Sequence, residues 1–181
     1  MPRILGKKVD LREYRLEDLD AIREWVNDRE TVRNLDDVFI YPHTLNMTEE
    51  YLNRILEDKL ENERHFVIAS HETDEYLGQV ALMHVDWRSR IATLGIVIAQ
   101  KENRDQGYGR EAIELVLDFA FGQLNLHRVE LCVREYNTRG CHLYLKCGFV
   151  EEGRKRKHYY IDGQYTDTIL MGILKEEYMA R

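Results

Sequence analysis

The sequence predicts an α/β fold, a mixed sheet of about seven strands flanked by about four helices, on the strength of three observations. The first is the stretch 94–121, where the apolar run Leu94 to Ala99 gives way to a polar loop and then to apolar residues at helical spacing from Ala112 to Phe121. The second is a further apolar strand, 127–133, directly after that helix; strand, helix and strand in this order form a crossover whose strands lie parallel. The third is a set of alternating or apolar runs bounded by turn residues on either side, as in a sheet extended by hairpins. With 181 residues, 44% hydrophobic and 33% charged, the chain has the length for one sizeable core and the composition of a globular protein. A single domain over residues 1–181 is expected, with no linker, internal repeat or low-complexity segment dividing it.

Taken in chain order, residues 8–13 alternate apolar and polar and read as the first strand. Leu16, Leu19, Ile22, Trp25 and Val26 recur at helical spacing, so residues 16–26 are expected to form one amphipathic helix. Residues 27–47 are the least periodic part of the chain, and Pro42 blocks a continuous helix through them. Thr48, followed by Glu49 and Glu50, has the form of an N-cap with an acidic first turn and opens a helix expected to reach about Glu61. Strands follow at 65–70 and 76–86, separated by Glu72, Thr73 and Asp74, and the chain pairs back over 87–99 after a turn near Arg88 and Ser89. Beyond the crossover, residues 137–146 suit a short helix closed by Gly148. Residues 149–160 and 165–174 read as strands joined by Asp162-Gly163.

The formal charge of −7 argues against a protein built to bind nucleic acid and favours a cationic partner, an amine or a basic protein tail. No apolar run approaches the ~20 residues that span a bilayer. The first residues, MPRILGKKVD, lack the apolar segment of a secretory signal, so a cytoplasmic location without a membrane partner is expected. Cys132, Cys141 and Cys147 form no CxxC pair and are expected to be reduced, small, buried side chains. The histidines show neither HExxH nor paired Cys/His spacing, so no metal site is expected.

Chemistry concentrates after the Leu94–Ala99 strand. A glycine-bearing loop leading into a helix presents unpaired N–H groups and the positive end of the helix dipole, which together suit an anion. Gly107 and Gly109 let the main chain approach such a group closely, although an ordinary tight turn would use the same residues. A nucleotide site of the Walker type is not indicated, since no lysine follows Gly109.

With that loop, the order of elements resembles the GCN5-related N-acetyltransferases (GNAT), whose signature R/Q-x-x-G-x-G/A is matched by RDQGYG at Arg104 to Gly109. NLHRVELCV at 125–133, the Asn137 to Tyr144 spacing, YLKCGF at 144–149, EEGRKR at 151–156 and the Asp-Gly turn resemble one branch of it. That branch holds ribosomal-protein amino-terminal acetyltransferases and spermidine/diamine acetyltransferases. The resemblance covers roughly residues 7–175 and implies the GNAT fold, with a parallel splayed strand pair at the cofactor site and acetyl-CoA as donor.

The resemblance further implies that the loop amides over Arg104, Asp105, Gln106, Gly107, Tyr108 and Gly109 hold the CoA pyrophosphate. Val97, Ile98 and Ala99 would bond the pantetheine amides as a neighbouring strand would. Asn137 would contact the same arm, and an asparagine there also suits a helix N-cap. Tyr144, two turns along the same helix face, is implied as the acid beside the departing sulfur; helical spacing alone would make it a core aromatic between Leu143 and Leu145. A phenol of pKa ~10 can hydrogen-bond to, and protonate, the thiolate of a thiol near ~8.5.

The sequence departs from the family at Thr93, where many relatives carry a glutamate base in an A-E-x-G pattern. Threonine cannot serve, which leaves Glu130, His84, Asp86 or a water relay. The activity implied is acetyl-CoA-dependent N-acetylation of a primary amine, either a polyamine or other small amine or a protein N-terminus. A non-catalytic CoA-binding module in an assembly is the alternative that Thr93 motivates. Asp36, Asp37, Glu49 and Glu50 could hold a polyamine or simply be solvated charge, and the basic run Arg154 to His158 reads as an exposed strand before a hairpin. The branch hints at a homodimer.

Overall fold

The computed structural model describes residues 3–35 and 37–181. One seven-stranded sheet carries the order β1-β2-β3-β4-β5-β7-β6. Its strands are Val9–Arg12 (β1), Arg64–Ser70 (β2), Tyr76–Asp86 (β3), Ile91–Ile98 (β4), Arg128–Arg134 (β5), Val150–Ile161 (β6) and Gln164–Leu174 (β7). The helices are Leu19–Val26 (α1), Arg29–Val32 (α2), Leu45–Leu56 (α3), Tyr108–Asp118 (α4), Thr138–Lys146 (α5) and Lys175–Met179 (α6). The mixed sheet and the crossover are as the sequence predicts: β4 and β5 are parallel, and every other neighbouring pair is antiparallel.

The sheet is covered on both faces. On one, Ile22, Trp25 and Val26 of α1 and Leu52 of α3 pack on Val67, Ala69, Val97 and Ala99. On the other, Ile113, Val116 and Leu117 of α4 and Phe119 and Phe121 just after it bury against Leu82, Leu94, Val129 and Ile173. Burying each of those large side chains contributes roughly 1.5–3 kcal/mol. That holds α4, and with it the loop at its start, firmly on the sheet. Helix α4 runs into a π turn over Phe119–Gln123, closed by Leu124 N donating to Phe119 O at 3.1 Å.

Pairing between β4 and β5 covers only Ile91–Arg128, Ala92–Val129 and Thr93–Glu130. Beyond Thr93, β4 stays bonded to β3 and β5 to β7, so the two strands part. That opening is what the fold contributes to the site.

Several elements differ from expectation for physical reasons. Residues 16–26 are not one helix: a 3-10 turn over Leu16–Asp18 precedes α1, because the Asp18 carboxylate turns back to accept from Arg15 N at 2.8 Å and from Arg12. The third helix begins at Leu45 rather than at Thr48 and ends at Leu56 rather than near Glu61. Thr44 is its N-cap, accepting from Met47 N, and Thr48 is buried inside the helix and accepts from Arg23. The irregular stretch contains α2, which Asp28 caps by accepting from Thr31 N at 2.9 Å. All of β1 is buried, since its polar residues are paired: Asp10 with Gly6 N and His71, Arg12 with Asp18. Cys132 is exposed and Cys141 half-buried, so only Cys147 is the buried thiol expected, with burial pushing its pKa up to about 11. Helix α6 had no periodic signal.

Among the described residues, no helix is long and apolar enough to cross a membrane. Among the described residues, no group of three or more His, Cys, Asp or Glu side chains is placed to hold a metal ion.

Candidate active site

A cleft of about 740 Å³ opens where β4 and β5 separate, bounded by the loop before α4, by α5 and by residues 31–35. That volume lies in the range of sites that hold small molecules. Of the residues singled out in the sequence, it brings together Val97, Ile98, Arg104, Asp105, Gly107, Gly109, Asn137 and Tyr144. Ala99, Gln106 and Tyr108 are not among its lining. Ala99 N donates to Leu77 O at 2.9 Å, the Gln106 carbonyl accepts from Lys8 Nζ at 2.9 Å, and the Tyr108 ring packs on the core.

The loop is shaped by two residues with positive φ, Asp105 at 60° and Gly107 at 86°. At Gly107 that conformation favours glycine, and a Cβ would lie 3.2 Å from Lys8 Nζ. Gly109 is different: a Cβ there would meet Leu143 at 3.4 Å and Ile98 at 3.7 Å, which is ordinary contact. No side chain caps α4, and the amides of Asp105 to Arg110 donate to no acceptor among the described residues. The first recorded amide of the turn is Glu111 N, donating to Gly107 O at 3.1 Å. Tyr108 and Gly109 are half-buried and the others exposed, so a run of free N–H groups is offered to the cleft at the positive end of a helix.

Asn137 is the N-cap of α5, its Oδ1 accepting from Gly140 N at 3.0 Å. The capping role occupies the oxygen and leaves the Nδ2 donors of a cleft-lining side chain. Tyr144 lines the same cleft with a half-buried ring set edge-on to Phe149, centroids 6.0 Å apart. Burial, with the thiols of Cys141 and Cys147 adding to it, pushes its hydroxyl well above the ordinary phenol value. Among the described residues that hydroxyl has no hydrogen-bond partner.

Thr93 sits at the last paired register of the parallel strands, opposite Glu130. None of the three candidate bases lines the cleft. Glu130 accepts from Arg128 Nε at 2.9 Å, and His84 lies exposed in the β3 irregularity. Asp86 is held below its ordinary pKa by the amides of Ser89 and Arg88, whose turn it caps. Of the acidic acceptor-side residues, Asp37 is exposed 3.8 Å from Arg134, and Glu49 and Glu50 lie in the first half of α3. Asp36 lies outside the described residues.

Among the lining residues that escaped the sequence reading, Gly140 could have been found from Asn137, because it lies three residues on along the same helix face. Thr31, Asn34 and Leu35 had no signal, lying in the aperiodic stretch and reaching the cleft only through tertiary contacts.

Residues 8–150 match the family model described as the acetyltransferase (GNAT) domain. The chain is similar to the spermidine N(1)-acetyltransferase of Vibrio cholerae, 37% identical over 133 residues that make up 74% of this chain and 75% of that protein. The solved structure of spermidine N-acetyltransferase from Vibrio cholerae in complex with CoA and spermine matches with a TM-score of 0.84 at 31% identity, covering 96% of this chain and 99% of that one. A dodecameric structure of the Vibrio cholerae enzyme matches with a TM-score of 0.78 at 32% identity, over 96% of this chain and 98% of that one. The family match spans the loop, both parallel strands and the helix that carries Asn137 and Tyr144, so the chain belongs to the GNAT acetyltransferase family and is an N-acetyltransferase.

Proposed function

We propose that the cleft between β4 and β5 holds acetyl-CoA and that the acetyl group passes to a primary amine of a polyamine. The observation that carries the donor half is the set of unpartnered amides from Asp105 to Arg110, next to a strand edge left open beyond Thr93. These residues fit the group: loop amides for a pyrophosphate, the open edge of β4 at Val97 and Ile98 and Asn137 Nδ2 for amide-bearing pantetheine. When bound, acetyl-CoA supplies an activated acyl thioester.

The chain's own contribution is orientation and one proton. Loop and strand fix the donor along the cleft, so that its sulfur end comes to Tyr144. The acceptor nitrogen attacks the thioester carbonyl, the C–S bond breaks, and Tyr144 hydrogen-bonds to the departing sulfur and can pass it the proton held on Oη. Burial keeps that proton in place, and the same burial lifts the affinity of a nascent thiolate for it. The amine's own proton goes to water, and a proton from water restores the Tyr144 phenol. With threonine at position 93 and the nearby carboxylates engaged elsewhere, the acceptor reacts from its free-base fraction, so the rate climbs with pH toward an amine pKa of ~10.4.

The polyamine reading rests on the likeness to spermidine acetyltransferases together with the charge of −7 and the exposed Asp37, two residues after the cleft-lining Leu35. Self-association is part of the same reading: β6 is a sheet edge, and Val150, Tyr160 and Tyr165 on the β6–β7 hairpin are exposed.

An acceptor panel monitored by thiol release tests the proposal. Spermidine and spermine should saturate with KM on the order of 1 mM or lower, ahead of a peptide bearing a ribosomal-type N-terminus. Thiol release with the peptide alone would overturn the polyamine assignment.

A further inference from the structure

Arg104 opens the loop signature, yet its guanidinium is engaged away from the loop. The side chain is only 8% exposed; Nη2 donates to Thr31 Oγ1 at 2.6 Å, and Nη1 donates to Glu30 Oε1 at 3.3 Å. Thr31 is itself buried, and its hydroxyl gives its one proton to Asp28, leaving a lone pair for Arg104. Lys101, from the same loop, pairs with Glu30 as well. The segment 28–35 is thereby fastened to the donor loop.

The segment is also tied to the β6–β7 turn and to Tyr136. Arg33 pairs with Asp162 in the β6–β7 turn at 2.8 Å and Arg29 with the same carboxylate at 3.1 Å, while the Arg33 carbonyl accepts from the Tyr136 hydroxyl. Asn34 and Leu35 line the cleft from this segment. The pairs to Asp162 are exposed and of the kind that contributes little. The Arg104–Thr31 bond is charge-assisted and partly buried, and therefore contributes more to how the segment is held.

We propose that Arg104 is a positioning residue: through Thr31 it sets segment 28–35 as a wall of the cleft, so that capture of the acceptor depends on the conformation of the donor loop. The inference rests on the donor assignment above and adds to it a link between the two halves of the site. It also separates the side chain of Arg104 from the loop amides that would meet the pyrophosphate.

The experiment compares Thr31→Val, Thr31→Ser and Arg104→Lys with the unsubstituted protein, reading CoA Kd by calorimetry and acceptor KM by thiol release. Thr31→Val removes no charge from the donor loop. It should raise acceptor KM about 10- to 150-fold, the worth of a hydrogen bond to a charged group, with CoA Kd changed less than about 2-fold. Thr31→Ser keeps the hydroxyl and should restore most of the acceptor affinity. Arg104→Lys keeps the charge but not the fork, and should follow Thr31→Val. If Arg104→Lys weakens CoA about tenfold or more while acceptor KM stays put and Thr31→Val is silent, Arg104 is a phosphate ligand and the proposal is wrong. Failure of the unsubstituted protein to bind CoA overturns the donor assignment itself, and that is read before any variant.

Discussion

Around the cleft, residues 91–110 offer mainly main-chain groups, whereas residues 28–35 are held by side chains that reach across the chain. In the first region these are the amides at a helix start and a strand edge left open beyond Thr93. In the second they are Arg104 with Thr31 and Arg33 with Asp162. The difference teaches where specificity resides. A donor common to many acetyltransferases can be gripped by backbone, which any sequence with the right glycines supplies. An acceptor must be told apart by side chains, and those sit on segments whose positions depend on long-range pairs.

The largest expected effect falls where the two halves meet. Tyr144→Phe should lower kcat about 10²- to 10⁴-fold, the usual worth of a positioned proton donor, with acetyl-CoA affinity nearly unchanged. Since burial raises the Tyr144 pKa, the phenol stays protonated through neutral and mildly alkaline pH. The wild-type rate should then climb without a descending limb below about pH 10, the ordinary phenol value. A limb falling near pH 8.5 would assign the proton to another group.

Next comes the buried ion pair that ties β1 to the turn before α1. Arg12 and Asp18 are 3% and 5% exposed and joined by two hydrogen bonds of 2.9 and 2.8 Å. Asp18→Ala leaves the buried guanidinium with Asp74 at 3.4 Å as its remaining carboxylate and should cost about 3 kcal/mol in urea denaturation. Within the backbone half, a contrast between two glycines should be smaller. Gly107→Ala forces a side chain into left-handed backbone and should cost about 1–2 kcal/mol. Gly109→Ala, placed in open contact on a helix, should be neutral or stabilising by up to about 1 kcal/mol. Equal losses at both would mean the loop is not held as described. The smallest effect is expected of Asp162→Ala, under about 1 kcal/mol of stability because its pairs are exposed.

The same division explains what the sequence reveals. The β4–loop–α4–β5 unit is legible because its signals are local: an apolar run, two glycines, a 3.6-residue period and a following strand. Asn137 and Tyr144 are legible only through the family resemblance, since helical spacing alone would make Tyr144 a core aromatic and Asn137 a cap. Helix α3 is misread because Thr44 and Thr48 are both plausible caps, and only the burial of Thr48 under Arg23 decides between them. Helix α2 and the Arg104–Thr31 bond are invisible, since they join residues 73 positions apart in a stretch without periodicity. Thr93 was readable as a departure from the family, but not the engagement of Glu130 with Arg128, which needs the fold.

The central claim, that main-chain groups of the loop and of β4 hold the donor, is tested most directly by amide hydrogen exchange with and without CoA. The account predicts protection concentrated at residues 105–110 and along 94–98, with the amides of 64–70 in β2 unchanged. Protection confined to other surfaces, with the loop amides exchanging as freely as before, would contradict it.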